Sequence, residues 1–248
     1  MKKTRFLYLL MGVAVLMLLF GCQKPAEPVP SQDPNTCDIV DDCGEDENGT
    51  ANMTFKEAYE SKNGTENSSG KPYRDVAIAE DHPFVKSSGE EIVRMIENKE
   101  TFYVYVGDEM CPWCRSVIEM AIKVAKDAGV DKIYYLEIWN DDHEEILRDQ
   151  YKVEDGKAVR TAEGTEAYHT LLKYWDSVLS DYTVSEGDTK IEVGEKRIFA
   201  PNFFYVENGE IRRFTEATSP KQEDSRQALS EEILADEEAM LKEFFGIE

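Results

Sequence analysis

Met110-Cys111-Pro112-Trp113-Cys114-Arg115 constrains the fold more than any other stretch of this chain, because of what flanks it. Upstream, Thr101-Phe102-Tyr103-Val104-Tyr105-Val106 is β-branched and aromatic, the composition of a buried strand. Downstream, Val117, Ile118, Ala121, Ile122, Ala125 and Ala128 recur at helical spacing up to Gly129. The two cysteines therefore fall where a strand passes into a helix. The first thiol sits at the helix N-terminus, where unpaired N–H groups and the dipole favour a thiolate. A thiolate attacks disulfides, and a second thiol one turn later can resolve the mixed disulfide. The placement predicts redox chemistry.

The first residues predict the compartment. Lys2, Lys3 and Arg5 precede an apolar run from Phe6 to Phe20, short for a bilayer span and flanked as a secretory signal is. The run ends in Leu19-Phe20-Gly21-Cys22, which resembles the lipobox of bacterial lipoproteins. That resemblance implies a signal peptide over 1–21 and a diacylated Cys22 as the first mature residue, two acyl chains giving stable membrane anchoring. Phe20 departs from the small residue usual at its place. An uncleaved N-terminal membrane anchor is the other reading. Either way the domain faces outside the cytoplasm, at a cell surface or in a periplasm. Of five cysteines, giving Cys22 to lipid leaves Cys37, Cys43, Cys111 and Cys114, which make two local pairs. An oxidising exterior tolerates both as disulfides, and pairings between the tail and the Cys-x-x-Cys stay open.

The formal charge is −23, and −26 without Lys2, Lys3 and Arg5. A surface that acidic repels nucleic acid and anionic lipid heads, which argues against both as partners, and it disfavours acidic protein substrates. Residues 22–72 are rich in Pro, Asn, Gly, Ser and acids, a tether composition, with at most a helical turn at Phe55 to Tyr59. Within it, Asp46-x-Asn48-Gly49 fits part of a calcium loop, but the register puts Gly44 and Phe55 where the first and last ligands belong. A small Cys37–Cys43 loop is the favoured reading. Four glycosylation sequons, at Asn48, Asn52, Asn63 and Asn67, read as chance in an Asn-rich linker.

The folded part is expected from Tyr73 to the end, 73–248. Ser88-Gly-Glu-Glu91 reads as a capping box opening a helix with Ile92, Val93 and Ile96 on one face. Lys132 to Ile138 is a second strand, parallel to the first across a βαβ unit. A helix is predicted over Asp141 to Tyr151, and a largely helical insertion over about 152–194, carried by Ala167, Leu171, Leu172, Trp175, Val178, Leu179 and Tyr182. Phe203 to Val206 and Glu210 to Phe214 flank Asn208-Gly209, a hairpin signal. A helix from about Arg226 to Phe245 closes the chain.

This order, with Cys111-Pro-Trp-Cys114 at the first crossover and Ala200-Pro201 directly before the hairpin, resembles the thioredoxin superfamily. The resemblance covers roughly 85–151 and 195–246. It implies an α/β thioredoxin-like fold, a central mixed sheet flanked by helices, with the insertion before a cis-Pro loop. It further implies a thiol–disulfide oxidoreductase in which Cys111 attacks, Cys114 resolves, the Trp113 side chain faces substrate, and Ala200 and Pro201 hold the substrate strand through main-chain contacts. No cofactor is needed. The implied partners are secreted or cell-surface thiol or disulfide proteins and a membrane redox partner that resets the pair. Two features depart from the family. The strand Tyr103-Val-Tyr-Val106 lacks the buried acid found in many members, and no Trp precedes the motif. Asp108 and Glu109 would oppose a Cys111 thiolate if close, while Arg115 would favour it. Zinc needs more ligands than the pair provides, and His82, His143 and His169 are scattered. Trp175 and Tyr174 read as packing residues of their helix. The alternative function is a non-enzymatic binding or scaffold lipoprotein whose cysteines only lock the fold.

Overall fold

The computed structural model describes residues 53–140 and 144–248. Cys22, Cys37 and Cys43, and the signal and lipobox readings, lie outside the described residues.

The chain is α/β, with a mixed central sheet flanked by helices. Its five strands run in the order β1 (Phe84–Ser87), β3 (Ile133–Glu137), β2 (Phe102–Gly107), β8 (Asn202–Glu207) and β9 (Glu210–Thr215). β1 and β2 both pair parallel with β3, while β8 lies antiparallel to β2 and β9 to β8. β2 at the centre is buried on both faces, so its sequence is a near-continuous apolar run. Its alternation sorts the core. Tyr105, with Tyr135 and Phe203, faces a cluster built from α1 (Phe55–Ser61), α3 (Pro112–Asp127) and α5 (Glu231–Phe245). Val104 and Val106, with Phe204 and Val206, face α2 (Gly89–Glu97) and α4 (Glu166–Trp175). Trp175 stacks on Phe204 at 3.9 Å, a core contact, while Tyr174 is exposed.

The expected local signals hold at several points. Ser88 caps α2 by accepting from the Glu91 N–H. Asn208 and Gly209 both take positive φ, the geometry of a tight hairpin turn, and any Cβ on Gly209 would meet the Ile96 carbonyl at 2.4 Å.

Four expectations are corrected. The packed domain begins before Tyr73: Thr54 caps α1, and Phe55, Ala58 and Tyr59 are buried, so part of the 22–72 tether belongs to the core. One aromatic face per two turns sufficed for burial, too little to stand out against polar composition. Second, 144–149 is not helical. Ile146 is exposed beside buried Leu147, and Glu145 and Asp149 turn inward, Glu145 to Arg148 and Arg197, Asp149 to His169. Third, the insertion is mostly ribbon: hairpin β4 (Gln150–Glu154) and β5 (Lys157–Ala162), then α4, then hairpin β6 (Ser180–Glu186) and β7 (Thr189–Arg197). α4 stops at Trp175, because Val178 and Leu179 reach the same core from a turn and continue the apolar spacing without the helix. Finally, α5 starts at Glu231, where Ser230 accepts from the Ile233 N–H ahead of two acidic residues, and it ends at left-handed Gly246.

Candidate active site

α3 starts where it does because Cys111 caps it. Cys111 is extended at φ −72 and ψ 117, its sulfur accepts from the Cys114 N–H at 3.4 Å, and Pro112 at the first helical position has no N–H to leave unpaired. The Cys111 thiol also donates to the Ala200 carbonyl at 3.5 Å, across the sheet from the loop before β8. The Ala200–Pro201 bond is cis and Pro201 is buried. Cys111 is partly exposed and Cys114, one turn in, is fully buried; both stand as free thiols. Trp113 is half-buried and walls a cleft of about 360 Å3 together with Phe199, Ala200, Pro201, Asp181 and Glu216. A second cleft, of about 750 Å3, is lined by Cys111 itself with Asp108, Met110, Trp139 and, from the N-terminal segment, Lys62, Asn67 and Tyr73. The five residues expected at the site, Cys111, Trp113, Cys114, Ala200 and Pro201, are thus brought together from the start of α3 and the loop before β8.

The two thiols are polarised in opposite directions. Cys111 is held below the ordinary thiol range, chiefly by a hydrogen bond from the Cys114 thiol; burial opposes this, and the N–H groups of Cys114 and Trp113 and the Arg148 charge assist it. Cys114 is pushed well above that range by burial first, then by its bond to Cys111 and the neighbouring charge. Of the two, Cys111 is therefore the more readily ionised thiol and Cys114 the one that holds its proton more tightly.

Asp108 lies close to both thiols, as the sequence warned, but its charge is suppressed. It is 2% exposed, its Oδ1 accepts from the Met110 N–H at 2.8 Å, and its Oδ2 has no partner. Burial first, then the Glu109 charge, raises its pKa to about 8, so near neutral pH it is largely protonated and does not repel a thiolate. Glu109 is likewise raised, by burial, with Lys62 at 3.9 Å. The expectation for Arg115 is corrected. Its guanidinium is buried and donates to the carbonyls of Arg74 (2.6 Å), Tyr59 (2.8 Å) and Glu109 (3.0 Å) and to Asn63 Oδ1 (2.7 Å). It fastens the N-terminal segment to the turn before the cysteines, and the cation that lowers Cys111 is Arg148.

Three further residues were not found from the sequence. Tyr59 and Tyr105 are fully buried with their hydroxyls 2.8 Å apart, and Tyr105, in the same core cluster as Cys114, eases charge on its sulfur. Arg148 lies in the segment expected to be a helix. Only Tyr105 carried a signal, as a polar-headed side chain inside an otherwise apolar strand. Among the described residues, no group of three or more His, Cys, Asp or Glu side chains is arranged to hold a metal ion.

No protein-family model matches the chain, and no curated protein matches it.

Proposed function

We propose that this chain is a thioredoxin-like thiol–disulfide oxidoreductase, tethered through a lipidated Cys22 to a membrane and working outside the cytoplasm. The observation that carries the reading is the division of labour in the pair: a lowered, partly exposed Cys111 capping α3 over a buried, raised Cys114. Strand order and the cis Ala200–Pro201 bond beside Cys111 support the thioredoxin-like assignment. Among the described residues no helix is long and apolar enough to cross a membrane.

The chemistry needs no group beyond the sulfurs. The Cys111 thiolate attacks one sulfur of a substrate disulfide, the S–S bond breaks, and the other substrate sulfur leaves as a thiolate and takes a proton. Cys114 then attacks Cys111, forming the internal disulfide and releasing the second substrate sulfur. Run backwards, the same steps install a disulfide. The cleft at Cys111 and the one walled by Trp113, Ala200 and Pro201 leave room for a chain beside the pair, with the loop at Ala200 and Pro201 offering main-chain contacts. Clients are secreted or cell-surface thiol or disulfide proteins, and a membrane redox partner resets the pair.

The test uses a soluble chain beginning upstream of Thr54. Cys114→Ser is expected to accumulate mixed disulfides with client proteins, and Cys111→Ser to form none. The reduction potential of the pair then gives direction: about −270 mV marks a reductase and about −120 mV an oxidant. A pair that no physiological thiol opens, with no trapped adduct, would defeat the reading in favour of a scaffold whose cysteines lock the fold.

A further inference from the structure

Cys114 is fully buried, so whatever eases negative charge on its sulfur must come from the core around it. Of the polar groups that act on it, the Cys111 thiol from the cap of α3 and the Asp108 carboxyl from the turn after β2 oppose that charge, and the Tyr105 phenol from β2, in the same core cluster, eases it. Behind Tyr105 stands Tyr59 from α1, hydroxyl to hydroxyl at 2.8 Å. Tyr135 from β3 stacks on the Tyr105 ring at 5.6 Å, and Phe203 from β8 covers it at 4.6 Å and brings no charge.

The protons of the two phenols can be assigned by counting partners. Tyr59 has one hydrogen-bond partner for its hydroxyl among the described residues, Tyr105. If Tyr105 donated to Tyr59, the Tyr59 proton would have no acceptor at hydrogen-bond distance among the described residues, an arrangement that costs a buried donor its partner. With Tyr59 donating, the Tyr105 proton is left free to turn toward Cys114, its neighbour in the same core cluster. The backbone makes room for this. A Cβ at Gly107 would come within 2.3 Å of the Tyr105 hydroxyl oxygen, so the bare glycine leaves the space in which that hydroxyl sits.

We propose that Tyr105 takes part in the second step of the reaction, donating its O–H to the Cys114 sulfur as charge builds there, and that Tyr59 is the positioning residue that aims it. This rests on the redox reading of the cysteine pair. During resolution Cys114 gives up its proton, its sulfur bonds to the Cys111 sulfur, and the bond between Cys111 and the substrate breaks. The substrate sulfur leaves with the electron pair and takes up the proton. In the reverse direction Cys114 is the leaving sulfur and meets the same donor. The phenol keeps its own proton throughout, since burial holds it well above the ordinary phenol range. The N-terminal helix, which composition alone assigns to a tether, thereby supplies part of the site.

An aromatic disulfide that liberates a coloured thiolate separates the two steps, because the reduced protein releases one equivalent when Cys111 reacts and a second when Cys114 resolves. In Tyr105→Phe the first phase is expected at the wild-type rate. The second is expected to slow about tenfold or more, the weight of a hydrogen bond to a charged group, with its pH midpoint moved upward. Tyr59→Phe should slow the second phase less, and the double variant should be no slower than Tyr105→Phe, since Tyr59 acts through Tyr105. An unchanged second phase and midpoint in Tyr105→Phe overturns the proposal, as does a Tyr59→Phe effect that persists once Tyr105 is gone. A wild-type protein with no first phase overturns the redox reading itself, a different and recognisable result.

Discussion

Cys111 and Cys114 are three residues apart, yet one caps a helix in partial contact with solvent and the other is sealed inside it. That difference predicts their reactivity. Iodoacetamide at neutral pH should modify Cys111 with a pH midpoint below that of a free thiol and leave Cys114 untouched until the chain is denatured; peptide mass spectrometry reads both. Equal labelling of the two would contradict the burial and polarity described above. Asp108 gives a second expectation. Its pKa in the folded chain is about 8, above its unfolded value, so between those limits the folded state holds the extra proton and stability falls as pH rises. Asp108→Asn, which keeps the oxygen that accepts from Met110, should therefore raise the unfolding free energy at pH 8 by an amount on the order of 5 kcal/mol. The gain should fade towards pH 4, and a urea titration at several pH values checks it. At this scale the sequence displayed the cysteines, Trp113 and Pro201, because spacing and neighbours announce them. It hid the environment that tunes them. Whether Asp108 is charged, and whether Arg115 or Arg148 faces a thiol, depends on which groups long-range packing buries together.

Element by element, legibility followed periodicity. α2, α3 and the β8–β9 hairpin each bury a face against the main sheet, so their apolar spacing and turn residues are written in the chain. The ribbons β4–β5 and β6–β7 stand outside that sheet and are largely exposed, leaving little apolar alternation to read. Their turn signal was present nonetheless: Asp155 and Gly156 both take positive φ between β4 and β5. α1 is a different failure, a short helix whose worth lies in three buried side chains and the carbonyl it offers to Arg115. A chain begun at Tyr73 loses Phe55 and Tyr59 from the core and the Asn63 acceptor from Arg115. Such a chain should be destabilised by about 3 kcal/mol or more relative to one begun before Thr54, measured by thermal or urea unfolding. Equal stability would mean that α1 contributes nothing to the domain.

The molecule as a whole carries a large excess of acid, and among the described residues Asp108, Glu109 and Glu237 are carboxyls buried where their charge is unwelcome. Besides Asp108 there is Glu237 in α5, fully buried, with both oxygens unpartnered and a pKa raised to about 7 by burial. The sign is the same: the folded state binds the proton more tightly, so the domain weakens as pH climbs from the unfolded value to about 7 and no further through this group. Glu237→Gln should stabilise the protein above pH 7, on the order of 2 kcal/mol, and make little difference near pH 4. A difference independent of pH would assign the effect to packing and not to ionisation. The order of the elements has one more consequence. α1 precedes every strand, and the bonds from Arg115 to Tyr59 and Asn63 tie it to the turn that carries Glu109. Tension drawn along the chain from its N-terminal side would therefore load α1 before any strand, first at Phe55 and the Lys56–Ile78 bond and then at this clasp, and slip Tyr59 from Tyr105 while the sheet stayed whole. Stretched in that way, the domain would keep its shape and lose its tuning, like an instrument string let down at the peg.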